Sequence, residues 1–192
     1  MALKPGERKL QILQTLAGML QDPAGEKITT AALAAKLDVS EAALYRHFAS
    51  KAQMYEGLIA FIEETVFGLI NKITAEETRG VKQVEAIIPM LLGFAAKNPG
   101  MTRVLIGDAL VHENERLQAR INQLHDRLEA QLKQSLRFAI TQGDIPEDRD
   151  VAAQANLIVA CITGRWHQFA KSRFKRSPME NVEVQTRLLM PA

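Results

Sequence analysis

Apolar residues recur at intervals of three and four through most of the chain, which is the spacing of amphipathic helices. The longest such stripe lies in a helix predicted over about Asn114 to Gln142 and comprises Leu117, Ile121, Leu124 and Leu128. It then continues at helical rather than heptad spacing, so we predict a helix packed in a bundle and not a free coiled coil. The same spacing predicts further helices over about residues 7–21, 51–73, 81–97, 101–111, 151–171 and 179–189. Leu10 belongs to the predicted apolar stripe of the first of these, and Leu69 to the predicted body-facing side of the second, which Ser50 is expected to cap.

The helix over residues 81–97 is apolar almost all round, which predicts a central position. Pro89 falls inside this helix, and we expect a kink near Glu85 because proline removes one backbone hydrogen bond. The run Asn98-Pro99-Gly100 ends this helix, and the loop Asp22-Pro23-Ala24-Gly25 ends the first one.

Two short helices joined by a tight turn are predicted over residues 28–51. Thr29 or Thr30 caps the first, and Ser40 caps the second, with Glu41 favourably placed in its first turn. Helices this short bury little surface alone, so we expect the helix over residues 7–21 to pack behind them. The pattern then gives about nine helices and no strand, and the predicted fold class is all-α.

A short second helix with small and polar side chains outside has the dimensions to enter a DNA major groove. Helix–turn–helix geometry is common in all-α proteins, however, and alone it leaves an ordinary helical hairpin equally open. The 192-residue chain has a formal net charge of only +2, so DNA affinity requires basic groups gathered on one face. Arg8 and Lys9, near the start of the first helix, are either phosphate contacts or solvated.

No catalytic or cofactor motif is recognisable in the chain. There is no glycine-rich phosphate loop, and metal-ligand spacing is missing among the histidines, which are His47, His112, His125 and His167. We therefore predict no enzymatic activity, no cofactor and no metal site. The single cysteine, Cys161, suits a reducing cytoplasm. The first residues lack the apolar core of a signal peptide, and the longest apolar run is too short for a membrane span.

The strongest charge feature is the run Arg165 to Arg176, which contains no acidic residue. It is either a second patch for nucleic acid or anionic lipid, or a solvated helix end whose cations suit the helix dipole. We favour the solvated helix end.

The run Ala34 to Lys51, AAKLDVSEAALYRHFASK, resembles the DNA-binding domain of the TetR family of repressors. This implies a helix-turn-helix head over residues 1–51, continuing along the fourth helix to about residue 66. A helical regulatory and dimerisation body would cover residues 52–192. Many family members have glycine in place of Asp38, and aspartate reaches the left-handed conformation at modest cost if the turn requires it.

Candidate DNA-binding residues fall into two groups. Phosphate contacts are expected from Thr29, Thr30, Tyr45 and Lys51. For Tyr45 and Lys51 the resemblance implies this role, because tyrosine and lysine at these positions usually contact DNA phosphates in the family. Contacts to base edges or the adjoining backbone are expected from Ser40, Glu41, Ala42 and Arg46, and His47 is assigned to the same surface. Arg46 suits guanine, Glu41 suits cytosine, and the Ala42 methyl suits thymine, while a two-fold dimer should prefer a palindromic site.

Beyond the head, the chain resembles one branch of that family, the SlmA-type nucleoid occlusion factors. The resemblance is carried by ITTAALAA, VSEAALYRHFASK, LIAFIEE, LLGFAAKNPGMTRVL and ERLQARINQLHDRLEAQLKQ. It implies a cytoplasmic, nucleoid-associated homodimer that antagonises polymerisation of the division protein FtsZ. Whether it binds DNA as one dimer or in higher order stays open. It also implies that a groove beside the fourth and fifth helices receives the FtsZ tail on Phe61, Met90, Gly93 and Lys97. Alternatively, Phe61 and Met90 belong to the core.

Two other functions remain open. A transcriptional repressor released by a small ligand needs a body cavity with converging polar groups, and the helix over residues 81–97 offers few. A purely structural helical adaptor would leave the run Val39 to Lys51 unexplained.

Overall fold

The computed structural model describes residues 6–22 and 28–190, and these ranges contain helices and no strand, which confirms the predicted all-α fold. They form nine α-helices and one short 3-10 helix, Asp108–Leu110. The α-helices, numbered α1 to α9 in chain order, are Glu7–Met19, Thr30–Lys36, Glu41–Tyr45, Lys51–Glu76, Gly80–Lys97, Pro99–Leu105, Glu115–Thr141, Val151–Lys171 and Val182–Leu189. Of the turn predicted after the first helix, Pro23, Ala24 and Gly25 lie outside the described residues.

Helices α1 to α3 form a head whose two short helices begin at side-chain caps. Thr29 Oγ1 accepts a hydrogen bond from the Ala32 amide at 3.1 Å, and Ser40 Oγ accepts one from the Ala43 amide at 3.2 Å. Both caps were predicted from the sequence. Asp38, in the turn between α2 and α3, has a φ of 53°, so this turn does use a left-handed residue.

Apolar side chains from all three helices form the core of the head. Ile12 and Leu16 of α1 are buried there with Leu33 of α2 and Leu44 of α3. Leu10, which was predicted to belong to the α1 stripe, is instead 41% exposed. It lies about 20° around the helix from buried Ala17 and shares that side, but its neighbours do not cover it two turns earlier.

Helix α4 joins the head to the body. It begins at the predicted cap Ser50, whose Oγ accepts a hydrogen bond from the Gln53 amide at 3.2 Å. Its 26 residues span about 39 Å, with a buried stripe from Met54 to Ile70 that packs on α1 at one end and on α5 and α7 at the other. Leu69, which was predicted to face the body, is exposed, and the next residue is buried in its place.

Helix α5 lies at the centre of the body and packs against α4, α7 and α8, as its apolar sequence predicted. The α7 stripe is buried from Leu117 through Leu136, in agreement with the predicted bundle packing. Buried hydrogen bonds join the helices further. Ser135 Oγ donates to Gln83 Oε1 at 2.9 Å, and Gln83 Nε2 donates to the Glu77 carbonyl at 2.9 Å.

Left-handed residues set two helix boundaries that the sequence pattern did not predict. The helix expected over residues 101–111 is divided into α6 and the 3-10 helix because Gly107 has a φ of 76°. The last helix begins at Val182, later than expected, after Asn181 with a φ of 58°. Pro89 lies inside α5, which continues past it, and the kink near Glu85 stays a prediction.

The basic run at residues 165–176 is not a uniformly solvated helix end, so the favoured interpretation was wrong for its first residue. Arg165 is only 8% exposed. Its Nη2 donates to the carbonyls of Ser177, Pro178 and Glu180 at 3.1, 3.1 and 2.6 Å. Arg165 therefore anchors the segment between α8 and α9, and the exposed cations of the run are Lys171, Arg173, Lys175 and Arg176.

A very close approach of α1 and α6 fixes the head on the body. A Cβ atom added to Gly100, in the first turn of α6, would lie 1.9 Å from the Ala17 carbonyl oxygen of α1. Arg103, one turn later, donates to the Leu20 carbonyl at 3.4 Å and pairs with Asp108 at 2.6 Å. This junction has no room for a side chain at residue 100.

We expect Gly100→Ala to lower the free energy of unfolding by about 1–3 kcal/mol, because backbone must move to accept the methyl group. Gly68→Ala is the matched control, since no atom of the described part of the chain lies within 4 Å of the added Cβ on the exposed side of α4. It should raise stability by about 0.5–1 kcal/mol. Urea unfolding of both variants measures the difference, and a Gly100→Ala protein as stable as wild type would contradict the packing described.

A buried histidine couples the stability of the body to pH. The His125 ring on α7 lies 6.0 Å from the Trp166 ring on α8, centre to centre, and its Nε2 has no hydrogen-bond partner among the described residues. Burial lowers the pKa of His125 below its ordinary 6.5, against the opposing effect of a hydrogen bond to the Leu105 backbone. The unfolded chain then binds the proton at higher pH than the folded chain. The stability contributed by the neutral ring is therefore present above pH 6.5 and is lost as the pH falls through the folded-state pKa.

We expect the free energy of unfolding to fall between about pH 7.5 and about pH 5.5, and His125→Gln to reduce that fall because glutamine carries no titrating ring. Urea unfolding of both proteins at each pH measures the free energy of unfolding. His112→Gln, at an exposed histidine, should leave the dependence unchanged. If the free energy of unfolding of His125→Gln falls with pH as much as that of wild type, groups other than His125 cause the fall.

Candidate nucleic-acid interface

Helix α3 turns one side to solvent and the other to the core of the head. Leu44 is buried, whereas four residues on the outer side are exposed: Glu41, Ala42, Tyr45 and Arg46. Their positions i, i+1, i+4 and i+5 share one side of a helix. We call these four residues the α3 face. It carries a carboxylate, a methyl group, a phenol and a guanidinium, all accessible from outside the molecule.

Hydrogen bonds connect the α3 face to the start of α2. Thr30 Oγ1 donates to Glu41 Oε2 at 2.6 Å, and Tyr45 Oη lies 3.4 Å from Thr30 Oγ1 as its donor. Three of the predicted DNA-binding residues are thus brought together and hold one another's side chains. The Glu41 carboxylate keeps its second oxygen for a further donor.

Thr29 and Ser40 have a structural role as helix caps, and this is compatible with phosphate binding. Each hydroxyl oxygen accepts a backbone amide bond within the head. A hydroxyl group can accept and donate at once, so each side chain still has its own proton to donate to a phosphate oxygen. Both residues are exposed.

Lys51, at the start of α4, has a partner that the sequence did not indicate. Its Nζ lies 2.5 Å from Glu113 Oε1, and the two side chains are 21% and 12% exposed. The ammonium also lies 5.7 Å from the ring centre of Tyr55. Burial raises the pKa of Tyr55 to about 12, and the Glu113 charge adds to this effect, so a neutral phenol adjoins the pair. No motif or periodicity links residues 51 and 113, which meet only in the folded protein.

His47 is half-buried and lies beside the α3 face instead of within it. With Arg46 and Arg8 it lines a cavity of about 330 Å³ between α1 and the end of α3, whose floor includes Ile12 and Leu44. The sequence had left the role of Arg8 open. The structure places Arg8 together with two candidate DNA-binding residues, and its Nη1 donates to Gln11 Oε1 at 2.8 Å.

The residues assigned to the groove beside α4 and α5 are partly covered. Phe61 and Met90 are half-buried and pack against the core, while Lys97 is exposed. A Cβ atom added to Gly93 would lie 3.7 Å from Met179 Sδ, so the segment between α8 and α9 also borders this surface. No sequence pattern pointed to Met179, because its position depends on the anchoring of that segment by Arg165.

Within residues 6–22 and 28–190, no group of three or more histidine, cysteine, aspartate or glutamate side chains is arranged to hold a metal ion. None of the helices in these ranges is both long and apolar enough to cross a membrane.

The exposed helix of the head, backed by two others and followed by a helical body, defines a helix-turn-helix regulator of the TetR type. Residues 19–58 match the family model described as bacterial regulatory proteins, tetR family. The fold is similar to that of the fatty acid degradation regulator FadR from Bacillus halodurans, with a TM-score of 0.81 and 16% identity over 99% of this chain and 98% of that one. A TetR transcription regulator from Haloarcula marismortui ATCC 43049 also has a TM-score of 0.81, with 16% identity over 95% of this chain and 96% of that one.

Comparison of the body is more specific. Residues 78–191 match the SlmA-like family model, described as tetracyclin repressor-like, C-terminal domain. Nucleoid occlusion factor SlmA from Marinomonas sp. (strain MWYL1) is 51% identical, over 94% of this chain and 91% of the relative. The SlmA protein from Alteromonas mediterranea is 52% identical, over 96% of this chain and 94% of the relative. The chain belongs to the SlmA branch of the TetR family, which consists of DNA-binding regulators and not enzymes.

We expect the double variant Tyr45→Ala, Lys51→Ala to weaken binding to all DNA sequences, because both side chains are predicted to contact phosphates. The slope of log affinity against log salt concentration should become shallower by up to about one, since one cation is lost. Fluorescence anisotropy with a labelled duplex at several salt concentrations measures both quantities.

Lys72→Ala is the control for this prediction, since Lys72 is an exposed cation near the opposite end of α4. It should bind DNA as wild type does. An unchanged affinity in the double variant would mean that DNA binds elsewhere on the protein.

Proposed function

We propose that the protein is a nucleoid-associated factor that binds palindromic chromosomal sites as a dimer and antagonises FtsZ polymerisation over the nucleoid. The observation that carries this proposal is the exposed α3 face on a head whose body belongs to the SlmA branch. Relatives of that branch are named nucleoid occlusion factors, and the similarity extends over almost the whole chain.

At DNA, the α3 face enters the major groove while neighbouring side chains hold the backbone. Arg46 is suited to guanine and the Ala42 methyl to thymine. Glu41 is positioned by Thr30 and accepts from cytosine through its second carboxylate oxygen. Phosphate contacts from the caps and from Tyr45 fix the register of the helix on the duplex.

The outer side of α8 supports the dimer. Four exposed residues along the middle of this side are small or apolar: Leu157, which is 58% exposed, with Ala153, Ala160 and Gly164. The exposed amides Asn156 and Gln168 flank them. Small side chains allow two helices to approach closely, and an isologous two-fold contact buries the same patch on both subunits. Two heads related by such an axis would read the two halves of a palindrome.

The surface on α4 and α5 supports binding of an FtsZ peptide. Phe61 and Met90 offer half-buried apolar side chains, and Gly93 of α5, which faces Met179, leaves room for a peptide to approach the helix closely. Exposed Lys97 at the end of α5 would attract an anionic group at one edge. An apolar anchor with a charged rim is a common arrangement in peptide recognition.

A repressor released by a small ligand fits the body less well. The inward residues of α5 are buried among neighbouring helices, including Ile87, Ile88, Leu91 and Leu92. The cleft of about 330 Å³ between α5 and α9 has charged side chains around it, with Lys82, Glu85, Glu183 and Arg187 among its lining residues. Ligand sites of this kind are usually concave and mainly apolar.

Light scattering by polymerising FtsZ tests the division role. We expect the wild-type protein, together with a duplex that it binds, to lower the scattering, and Lys97→Glu to lose much of this effect because the cation at the rim is reversed. Lys171→Glu, at an exposed lysine ending α8, is the matched control and should act as wild type does. Both variants should bind the duplex normally.

If the wild-type protein and its duplex leave the light scattering of polymerising FtsZ unchanged, the proposed division role is rejected. The proposed DNA binding is unaffected by that result. If a cellular metabolite then released the protein from the duplex, the ligand-controlled repressor would replace the proposed function.

A further inference from the structure

The partner of Lys51 is a carboxylate held by the body. Glu113 lies between the 3-10 helix and α7, and its amide donates to the Leu110 carbonyl at 2.9 Å. The next residue, Asn114, caps α7 by accepting from the Arg116 amide at 3.0 Å. Glu113 is thus fixed at both sides, and its side chain is only 12% exposed.

Lys51 stands at the boundary between this carboxylate and the DNA-binding surface. It is the first residue of α4, one residue after the cap Ser50 and close in sequence to the α3 face. An ammonium group forms charge-assisted hydrogen bonds of the same kind with a carboxylate and with a phosphate oxygen. The Lys51 ammonium already has such a bond at 2.5 Å.

We propose that Glu113 competes with a DNA phosphate for Lys51 and thereby sets the DNA affinity of the protein below its maximum. This rests on the proposed function, since it requires Lys51 to be a phosphate contact. On binding, Lys51 moves from Glu113 to the phosphate, or it stays and holds the phosphate next to a like charge. Both alternatives cost free energy, because the first breaks a partly buried ion pair and the second brings two anions together.

The competition also links the head to the body. Glu113 precedes α7 directly, and Arg103 and Asp108 form a second ion pair in the same region, between α6 and the 3-10 helix. Release of Lys51 leaves the Glu113 charge beside Tyr55 without its cation. Phosphate binding at Lys51 therefore changes the electrostatic environment at the start of α7, because Glu113 loses its cation.

The test is Glu113→Gln, which keeps the size and removes the charge. We expect this variant to bind a labelled duplex about three- to ten-fold more tightly than wild type, as measured by anisotropy. The salt dependence should become steeper, because the released carboxylate no longer takes up a cation when the phosphate loses one. In a Lys51→Ala background the Gln substitution should have much less effect.

Glu115→Gln removes an exposed charge two residues away, in the first turn of α7, and controls for general repulsion of DNA. Equal tightening by Glu115→Gln would overturn the proposal, and so would unchanged or weaker binding by Glu113→Gln. If Lys51→Ala weakens binding while Glu113→Gln does nothing, only the competition is wrong. If Lys51→Ala also does nothing, the proposed DNA surface itself fails.

Discussion

Helix α6 approaches helix α1 so closely that only a glycine fits between them. Gly100 lies against the Ala17 carbonyl, Arg103 donates to the end of α1, and the buried stripe of α4 runs through both head and body. Close packing of this kind transmits displacement instead of absorbing it. The orientation of α3 is therefore determined by how the body holds α1 and α4, and the body cannot rearrange at this point without moving the head.

The protein has a formal net charge of only +2, so its DNA binding depends on local groups and not on the overall electrostatic field. Its candidate phosphate contacts are local, and two of them are paired with carboxylates in the protein alone. Thr30 donates to Glu41, and Lys51 pairs with Glu113. These carboxylates preorganise the side chains and also oppose an incoming phosphate. In the proposed competition affinity would be balanced against selectivity, since an arrangement with unopposed cations would favour DNA of any sequence.

Interactions between residues close in sequence could be predicted from the sequence, and interactions between residues far apart in sequence could not. The caps at Thr29, Ser40 and Ser50 act within three residues, and the buried α7 stripe follows from helical period alone. The Lys51–Glu113 pair joins residues far apart in sequence, and the burial of Arg165 depends on where the chain returns after α8. Exposure of Leu10 and Leu69 shows a further limit, because period identifies a side of a helix but not how far its neighbours cover it. In the candidate site, the α3 face was therefore predictable and the partner of its flanking lysine was not.

The base-reading role of the α3 face is tested most directly by selecting binding sites from a random duplex library with the wild-type protein and with Arg46→Ala. Arg46→Ala should leave the proposed dimer and the proposed phosphate contacts unchanged. We expect both to recover one palindrome, with preference relaxed at a single symmetry-related position in each half-site for Arg46→Ala. Identical base preferences at every position would contradict a reading of DNA by the outer side of α3.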